Sequence, residues 1–403
     1  MGLGYLMLAV KSERDDYLVG NPQFTYFKSV YKRHTNFAMD YQELRFPSNT
    51  NNISCRKIYL DIPKNADLLH RMYLILDIDY LSKNVPPFEV PFVYNLIEYI
   101  DFYIGDQLID RHYASWYHLW HELLEPDQKS FALGEMVSVY SKTSPGNDPK
   151  KLILPLRFWF NNNIGLSLPL IALSNNKIKL EVQFADFPAP ITCNQVTLLI
   201  ENIYLDQDER RSLVTNKQEY LITQVQTSLN NTIPKYVNGA PDLRYKIPLN
   251  LRHPVKELFW TIQSSNGGIR PADQFKYWNG SVGDQMSACT LVINGQELMD
   301  ELPAPFFRDV QQYQYYGSYG MSNINQFPEF DGSASGIYSY SFSVYPTKFQ
   351  PSGSLNFSKL DNAQLKMGLT ELNDKCNRNI VIYGVNYNIL RVESGMAGLA
   401  FVN

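Results

Sequence analysis

Ile104-Gly105-Asp106-Gln107-Leu108-Ile109-Asp110 returns later in the chain as Ile293-Asn294-Gly295-Gln296-Glu297-Leu298-Met299-Asp300. Each copy is an apolar run broken by a two-residue turn. Asn-Gly between apolar runs is the strongest short hairpin signal, because both central positions of the tight turn need positive φ. Gly105-Asp106 predicts the same hairpin between 96–104 and 107–109. Three further matches keep the same order. Pro155-Leu156-Arg157-Phe158-Trp159-Phe160 falls opposite Tyr338-Ser339-Tyr340-Ser341-Phe342-Ser343. Lys177-Ile178-Lys179-Leu180-Glu181-Val182 falls opposite Asn362-Ala363-Gln364-Leu365-Lys366-Met367, and Val196-Thr197-Leu198-Leu199-Ile200 opposite Val381-Ile382-Tyr383-Gly384-Val385. The spacing is roughly 185 to 190 residues, far beyond the few tens of a solenoid or propeller repeat. It predicts two whole domains of one fold, which a chain of 403 residues can accommodate.

Strand signals dominate both halves. Lys57 to Ile62 partly alternates polar and apolar residues, whereas Tyr73 to Ile78 is more evenly apolar and is expected to be buried on both faces. Lys177 to Phe184 and Thr197 to Leu205 close the first unit. After a polar stretch, Asp206 to Lys217, the second unit is expected to use Gln218–Thr227, Arg244–Leu249, Glu257–Gln263, Ser287–Ile293, Ile337–Tyr345, Ala363–Leu369 and Asn379–Leu390. Helical periodicity is scarce. Trp116, Leu119, Trp120 and Leu123 share one helical face, with Ser115 as a cap and Pro126 as a stop. Shorter helices are expected at Asn65 to His70 and Ala304 to Val310. Two long loops, 264–286 and 313–336, interrupt the second unit, and loops of that length usually carry exposed function. About eight strands per unit predict an all-β protein of two tandem eight-stranded jelly rolls, a double jelly roll with a few short helices in its loops.

Composition excludes several function classes. The net charge is −4 with no long run of one sign, which argues against nucleic-acid binding by the whole chain. No stretch of about 20 apolar residues is present to span a bilayer. Cys55, Cys193, Cys289 and Cys376 are few and widely spaced, so free buried thiols are expected rather than a disulfide framework. His112, His118 and His121 invite a metal search, but no third ligand stands at a matched spacing, and packing on an aromatic helix is the expected role. Gly332-Ser333-Ala334-Ser335-Gly336 has Ala where a nucleophile elbow needs Ser. No phosphate-binding loop occurs, and no carboxylate pair stands out among many. The expectation is no catalytic residue, no metal and no cofactor. N-x-S/T sequons occur at Asn52, Asn230, Asn279 and Asn356. Asn279, in a long loop, is the one expected to be most exposed. Asn356 follows a Pro-Ser-Gly turn and is expected to serve local hydrogen bonding.

Three motifs carry a family resemblance. Gly20-Asn21-Pro22-Gln23-Phe24-Thr25-Tyr26-Phe27-Lys28-Ser29-Val30-Tyr31-Lys32-Arg33-His34-Thr35-Asn36-Phe37-Ala38 is the first. His253-Pro254-Val255-Lys256-Glu257-Leu258-Phe259-Trp260 is the second. The third runs from Tyr340-Ser341-Phe342-Ser343 to Gln350-Pro351-Ser352-Gly353-Ser354-Leu355-Asn356-Phe357-Ser358. Together they resemble the double jelly-roll major capsid proteins of large icosahedral DNA viruses of eukaryotes. The resemblance implies a structural protein that forms homotrimers, pseudo-hexagonal capsomers tiling an icosahedral virion shell assembled in the host cytoplasm. It implies neighbouring capsomers and minor capsid proteins as partners, an inner viral membrane nearby, and no specific nucleic acid. It further implies an arm at residues 1–26, a first jelly roll at 27–212 and a second at 213–403. Within the first motif, Phe24, Phe27, Lys28, Tyr31, Lys32, Arg33, His34 and Phe37 are the expected assembly segment, dense in the aromatic and basic residues that anchor interfaces. The Tyr-rich loop at Tyr313, Tyr315, Tyr316 and Tyr319 is read either as a contact surface or as ordinary packing. The alternatives to a major shell protein are a minor capsid paralogue and a receptor- or glycan-binding surface protein of the same fold.

Overall fold

Alternation of apolar residues with period two makes half-buried strands, and among the described residues it builds four antiparallel sheets. The computed structural model describes residues 3–10, 12–47, 54–80, 92–125, 127–137, 150–186, 191–233, 244–265, 284–316, 336–370 and 377–402. Residues 38–403 form one compact body; residues 1–37 are a separate unit. The first half contributes β1 (Phe37–Arg45), β2 (Lys57–Ile62), β3 (Leu68–Tyr80), β4 (Ile97–Ile104), β5 (Gln107–Tyr113), β6 (Lys150–Pro155), β7 (Ile178–Phe184) and β8 (Ile191–Leu205). They pair in the orders β1-β8-β3-β6 and β2-β7-β4-β5. The second half contributes β9 (Gln218–Ile233), β10 (Arg244–Pro248), β11 (Pro254–Ser265), β12 (Met286–Ile293), β13 (Gln296–Glu297), β14 (Leu302–Pro303), β15 (Ile337–Ser341), β16 (Leu355–Asn356), β17 (Ala363–Leu369), β18 (Asn377–Glu393) and β19 (Met396–Leu399). Its sheets repeat the same order: β9-β18-β11-β15 and β10-β17-β12-β13, with the short β14, β16 and β19 added at their margins. Two four-stranded sheets in this crossed order are a jelly roll, and the chain holds two.

The repeat keeps its strand pairing at the hairpins, although in the first turn only Gly105 has a positive φ. Ile104 pairs with Gln107, and Ile293 with Gln296. Asn294 and Gly295 have φ of 50° and 83°, as the tight turn demands. In each roll the turn is tied to the same place: Gly105 N donates to Lys177 O at 2.6 Å, and Asn294 N to Asn362 O at 2.7 Å. The β7 and β17 matches are likewise in register, since Ile178, Leu180 and Val182 face one core and Ala363, Leu365 and Met367 the other. The remaining two matches are not. Val196, Leu198 and Ile200 face the core of their own roll, but Val381, Tyr383 and Val385 face away from theirs. Leu154 and Leu156 are core residues beside half-buried Pro155, whereas Tyr338 is the core residue aligned with that proline. A one-residue slip exchanges the faces of a strand, and β18 conceals the slip because it is apolar on both.

That two-sided strand explains how the rolls join. Leu258, Trp260, Ile262, Ile380 and Ile382 point into the second core. Phe259, Val381, Tyr383 and Val385, on the opposite face, are buried with the first roll. The helix Ala114–Leu119 lies against this face. Trp116 packs on Phe259 and Tyr383 with ring centroids 5.8 and 5.6 Å apart. Polar contacts fix the alignment: Gln224 on β9 donates to Ile109 O, and Val225 N donates to Asp110 Oδ1 at 3.2 Å. The β18–β19 hairpin turns at Ser394-Gly395 and reaches back to the first roll, where Asn175 N donates to Gly395 O at 2.9 Å. Gly395 has φ of 79°, and a Cβ there would lie 2.4 Å from Ser174 Oγ, so a side chain at this turn would be strained and would displace Ser174.

Several local expectations fail for identifiable reasons. Asn65 to His70 is not helical: β3 begins at Leu68, and Leu68 and Leu69 pair with Ile203 and Asn202. Six residues are too few for periodicity to separate helix from strand. The second face of 73–78 is only half-buried, since Tyr73, Ile75 and Asp77 lie outside the core formed by Leu74 and Leu76. The Trp helix ends in a π turn, Trp120–Leu124, and its N-terminus is Tyr113, with the Ser115 hydroxyl bonded instead to the Tyr383 hydroxyl. Asp206 to Lys217 contains the helix Gln207–Thr215, capped by Asp206 Oδ1 on Gln207 N. The predicted helix near Ala304 to Val310 is present as Phe306–Val310 and Gln311–Tyr315. Among the described residues Cys193 and Cys289 are buried free thiols, but Cys55 is exposed; Cys376 lies outside the described residues.

Trp116→Ala removes the largest side chain at the joint. It is expected to destabilise the folded body by about 3–5 kcal/mol, measured by chemical denaturation; a loss under about 1 kcal/mol would mean the joint does not depend on this residue.

Candidate functional site

The N-terminal unit exposes a concentration of apolar side chains. Its helices are Leu3–Ala9 and Asp16–Val19, and the chain beyond them is extended and turned. Phe24, Tyr26, Phe27, Val30, Tyr31 and Phe37 are all exposed, Phe27 at 99%. Lys28, Lys32, Arg33 and His34 are exposed beside them. Internal order is local: Phe24 and Tyr26 meet edge to face at 5.0 Å, and His34 lies 5.9 Å from Phe37. All eight residues of the expected assembly segment therefore stand at the surface, where aromatic carbon is costly to leave in water.

The histidines have structural surroundings. His112 stacks on Phe158 at 4.6 Å and its Nε2 is 3.0 Å from Asp110 Oδ2. Asp110 in turn holds Val225 N, so His112 steadies the joint between the rolls. His118 and His121 are buried on the Trp helix around Tyr94, with His118 Nε2 3.8 Å from Glu122 Oε1. Burial pushes His118 down to about 3 and Glu122 up to about 7. Both shifts oppose charge in an apolar setting. Among the described residues no group of three or more His, Cys, Asp or Glu is placed to hold a metal.

The remaining candidates divide. Tyr316 is buried, donates to Glu257 Oε2 at 2.9 Å and packs on Phe259 at 5.6 Å, whereas Tyr313 is 82% exposed. One tyrosine of the loop thus packs and another is presented; Tyr319 lies outside the described residues. Asn52 and Asn279 lie outside them also. Asn230 falls within β9, and exposed Asn356 accepts from Ser358 N at 3.1 Å. Sequence reading missed a third exposed group. The turn between β15 and β16 presents Val344, Tyr345 and Phe349. It is held by Lys256 Nζ on Pro346 O at 2.6 Å and Tyr345 N on Ser352 Oγ at 2.8 Å. The available signal was Tyr345 and Phe349 within a stretch of Ser, Pro and Gly.

Comparisons with known proteins identify the family. A family model described as "Major capsid protein N-terminus" matches residues 25–236, and one described as "Large eukaryotic DNA virus major capsid protein" matches 209–398. The major capsid protein of Pyramimonas orientalis virus is 34% identical over 424 residues, covering all of both chains. That of Paramecium bursaria Chlorella virus 1 is 28% identical, again covering all of both. Among solved structures, a subunit of the PBCV-1 virus capsid superposes with a TM-score of 0.76 at 25% identity, over 94% of this chain and all of that one. The Faustovirus major capsid protein shares the fold at a TM-score of 0.68 and 11% identity, over 95% and 94% of the two chains.

Glu122 gives a pH signature. Its folded pKa of about 7 lies above its ordinary 4.5, so the unfolded chain loses the proton first and stability falls as pH rises from about 4.5 through about 7. Glu122→Gln is expected to raise the melting temperature relative to the parent at about pH 8.5 more than at about pH 5. An equal difference at both values would show that Glu122 does not titrate with folding.

Proposed function

The chain belongs to the major capsid proteins of large eukaryotic DNA viruses, and we propose that it builds the shell as a homotrimer. It is a structural capsid protein, located in the virion shell and assembling with further copies of its kind. The finer reading is a three-chain capsomer whose six jelly rolls approximate a hexagon, tiling an icosahedral lattice without catalytic activity. Its divisions are an arm at 1–26 and rolls at 27–212 and 213–403. Minor capsid proteins and an inner membrane complete its surroundings, and assembly takes place in the host cytoplasm.

The observation that carries this reading is the pair of rolls fused through a sheet buried on both faces. Two alike domains in one chain let three chains present six near-equivalent sides while each domain diverges. Closed rings of this kind use heterologous contacts, in which one surface meets a different one on the next copy. The exposed Phe24–Phe37 segment supplies aromatic anchors with Lys28, Lys32 and Arg33 among them, the composition that concentrates binding energy at interfaces.

Light scattering on the purified chain is expected to give three times the 46.5 kDa chain mass, and negative-stain images hexagonal outlines. A monomer that binds glycans tightly would favour the surface-protein alternative. Phe27→Asp is expected to cut the yield of trimers or closed shells at least about tenfold without changing the melting temperature of the folded body, since Phe27 is fully exposed. Unchanged yields would remove this segment from assembly.

A further inference from the structure

The two rolls carry different side chains on one equivalent surface, the outer face of β2-β7-β4-β5 in the first and of β10-β17-β12-β13 in the second. Strand register aligns the two position by position. Tyr59 on β2 stands opposite Glu181, and Glu181 opposite Asp101. In the second roll Lys246 stands opposite Lys366, and Lys366 opposite Thr290. Two residues to either side, Tyr99 and Tyr103 on β4 have Ala288 and Val292 as counterparts on β12. Both sheets close their cores with the alternate residues, Leu60 and Phe102 in one and Ile247 and Leu291 in the other. The fold therefore does not require the three rings, and function is grafted onto folds at such positions.

The rings are fixed by a lattice of charges among them. Asp101 is fully buried, takes both arms of Arg111 at 2.6 Å each and accepts from the Tyr103 hydroxyl at 3.2 Å. Glu181 is buried between Lys57 at 2.5 Å and Lys179 at 3.2 Å. The same cations meet the ring faces. Lys179 Nζ lies 5.7 Å from the Tyr59 centroid and 4.7 Å from that of Tyr103, and the Arg111 guanidinium lies 4.2 Å from that of Tyr99. Tyr59, on the edge strand, is 57% exposed, with exposed Lys57 and Asp61 on the same face of β2. Rings held in this way lose little freedom when a ligand covers them.

Charge decides what such a face can take. Lys57, Lys179 and Arg111 are balanced by Asp61, Asp101 and Glu181, so no net charge draws an anion, a nucleic acid or an acidic lipid surface. A protein partner covering the whole face would strip water from all six, and interface centres are depleted in charge for that reason. The ligand that fits is uncharged, small enough to sit over one or two rings, apolar on one side and rich in hydroxyls at its rim. A pyranose has that chemistry: its C–H groups lie on the ring of a tyrosine, and its hydroxyls reach the donors and acceptors around it.

We propose that the outer face of β2-β7-β4-β5 binds a neutral oligosaccharide, with Tyr59 as the stacking platform, Tyr103 as a second ring across Lys179, and Lys57 and Asp61 as hydrogen-bonding partners of the sugar hydroxyls. The platform is at the β2 edge of the sheet, away from the β5 edge that meets the second roll. It adds a function to the shell role and does not rest on the homotrimer reading.

The test uses the full chain and three uncharged probes, maltohexaose, cellohexaose and mannohexaose, read by saturation-transfer NMR and titration calorimetry. At least one is expected to receive saturation from aromatic protons of the protein. Tyr59→Ala is expected to weaken binding of that probe at least about tenfold, and Tyr59→Phe to hold it within about threefold. Lys246→Ala, at the equivalent position of the second roll, is expected to change nothing. All three variants are expected to keep the parent's melting temperature. Absence of transfer to every probe overturns the proposal. So does binding that Tyr59→Ala leaves intact, which would put the sugar elsewhere. A heparin hexasaccharide that binds more tightly than the neutral probes overturns it by revealing an anion site. Self-association lost in Tyr59→Ala, with no sugar bound by the parent, overturns it by revealing a contact between copies. The parent's trimer mass is measured separately by light scattering and stands or falls independently of the sugar.

Discussion

A single sheet buried on both sides holds the molecule together. Strands β9, β18, β11 and β15 must close the second core with Leu258, Trp260, Ile262, Ile380 and Ile382 while offering Phe259, Val381, Tyr383 and Val385 to the first roll. Burying each such side chain fully contributes about 1.5–3 kcal/mol, so the second face adds a further layer of core. The requirement accounts for Phe259 on β11 and Tyr383 on β18, which Trp116 of the Trp helix packs against.

The apolar contact does not set alignment by itself, because burial is non-directional. Alignment comes from the few hydrogen bonds that cross the joint. Asp110, steadied by His112, accepts from Val225 N, and Gln224 reaches Ile109 O while accepting from Asn388. Buried polar groups of this kind are costly when unpaired, so a shifted docking would strand several at once. The β18–β19 hairpin adds a third tie through Gly395 and Asn175, far from the Trp helix. His112, one of the residues that first suggested a metal search, serves this geometry.

The two rolls share a topology and differ in what they leave uncovered. The first covers its sister and leaves its own outer sheet face half open; the second leaves its helix face open, with Tyr313 projecting. A fused tandem repeat has this property whenever its internal contact is heterologous, and it suits a protein whose task is to meet copies of itself. The N-terminal unit adds aromatic and basic residues that no neighbour in residues 3–37 buries.

Sequence alone determined the double jelly roll. Period-two alternation, the Asn294-Gly295 turn and the matched β7 and β17 segments are local properties, and tight turns and pleated strands obey local sterics. The family motif around Phe24 to Phe37 was equally legible, and its exposure followed. Tertiary structure decided the rest. The register of Val196–Ile200 against Val381–Val385 was unreadable because a strand apolar on both faces has no alternation to fix it. The start of β3 at Leu68 depended on pairing with Ile203, more than 130 residues away in sequence. Which tyrosine of 313–316 would be buried depended on Glu257 and Phe259, which only folding brings near. Contacts between distant strands are set by packing of whole sheets, and no window of sequence contains both partners.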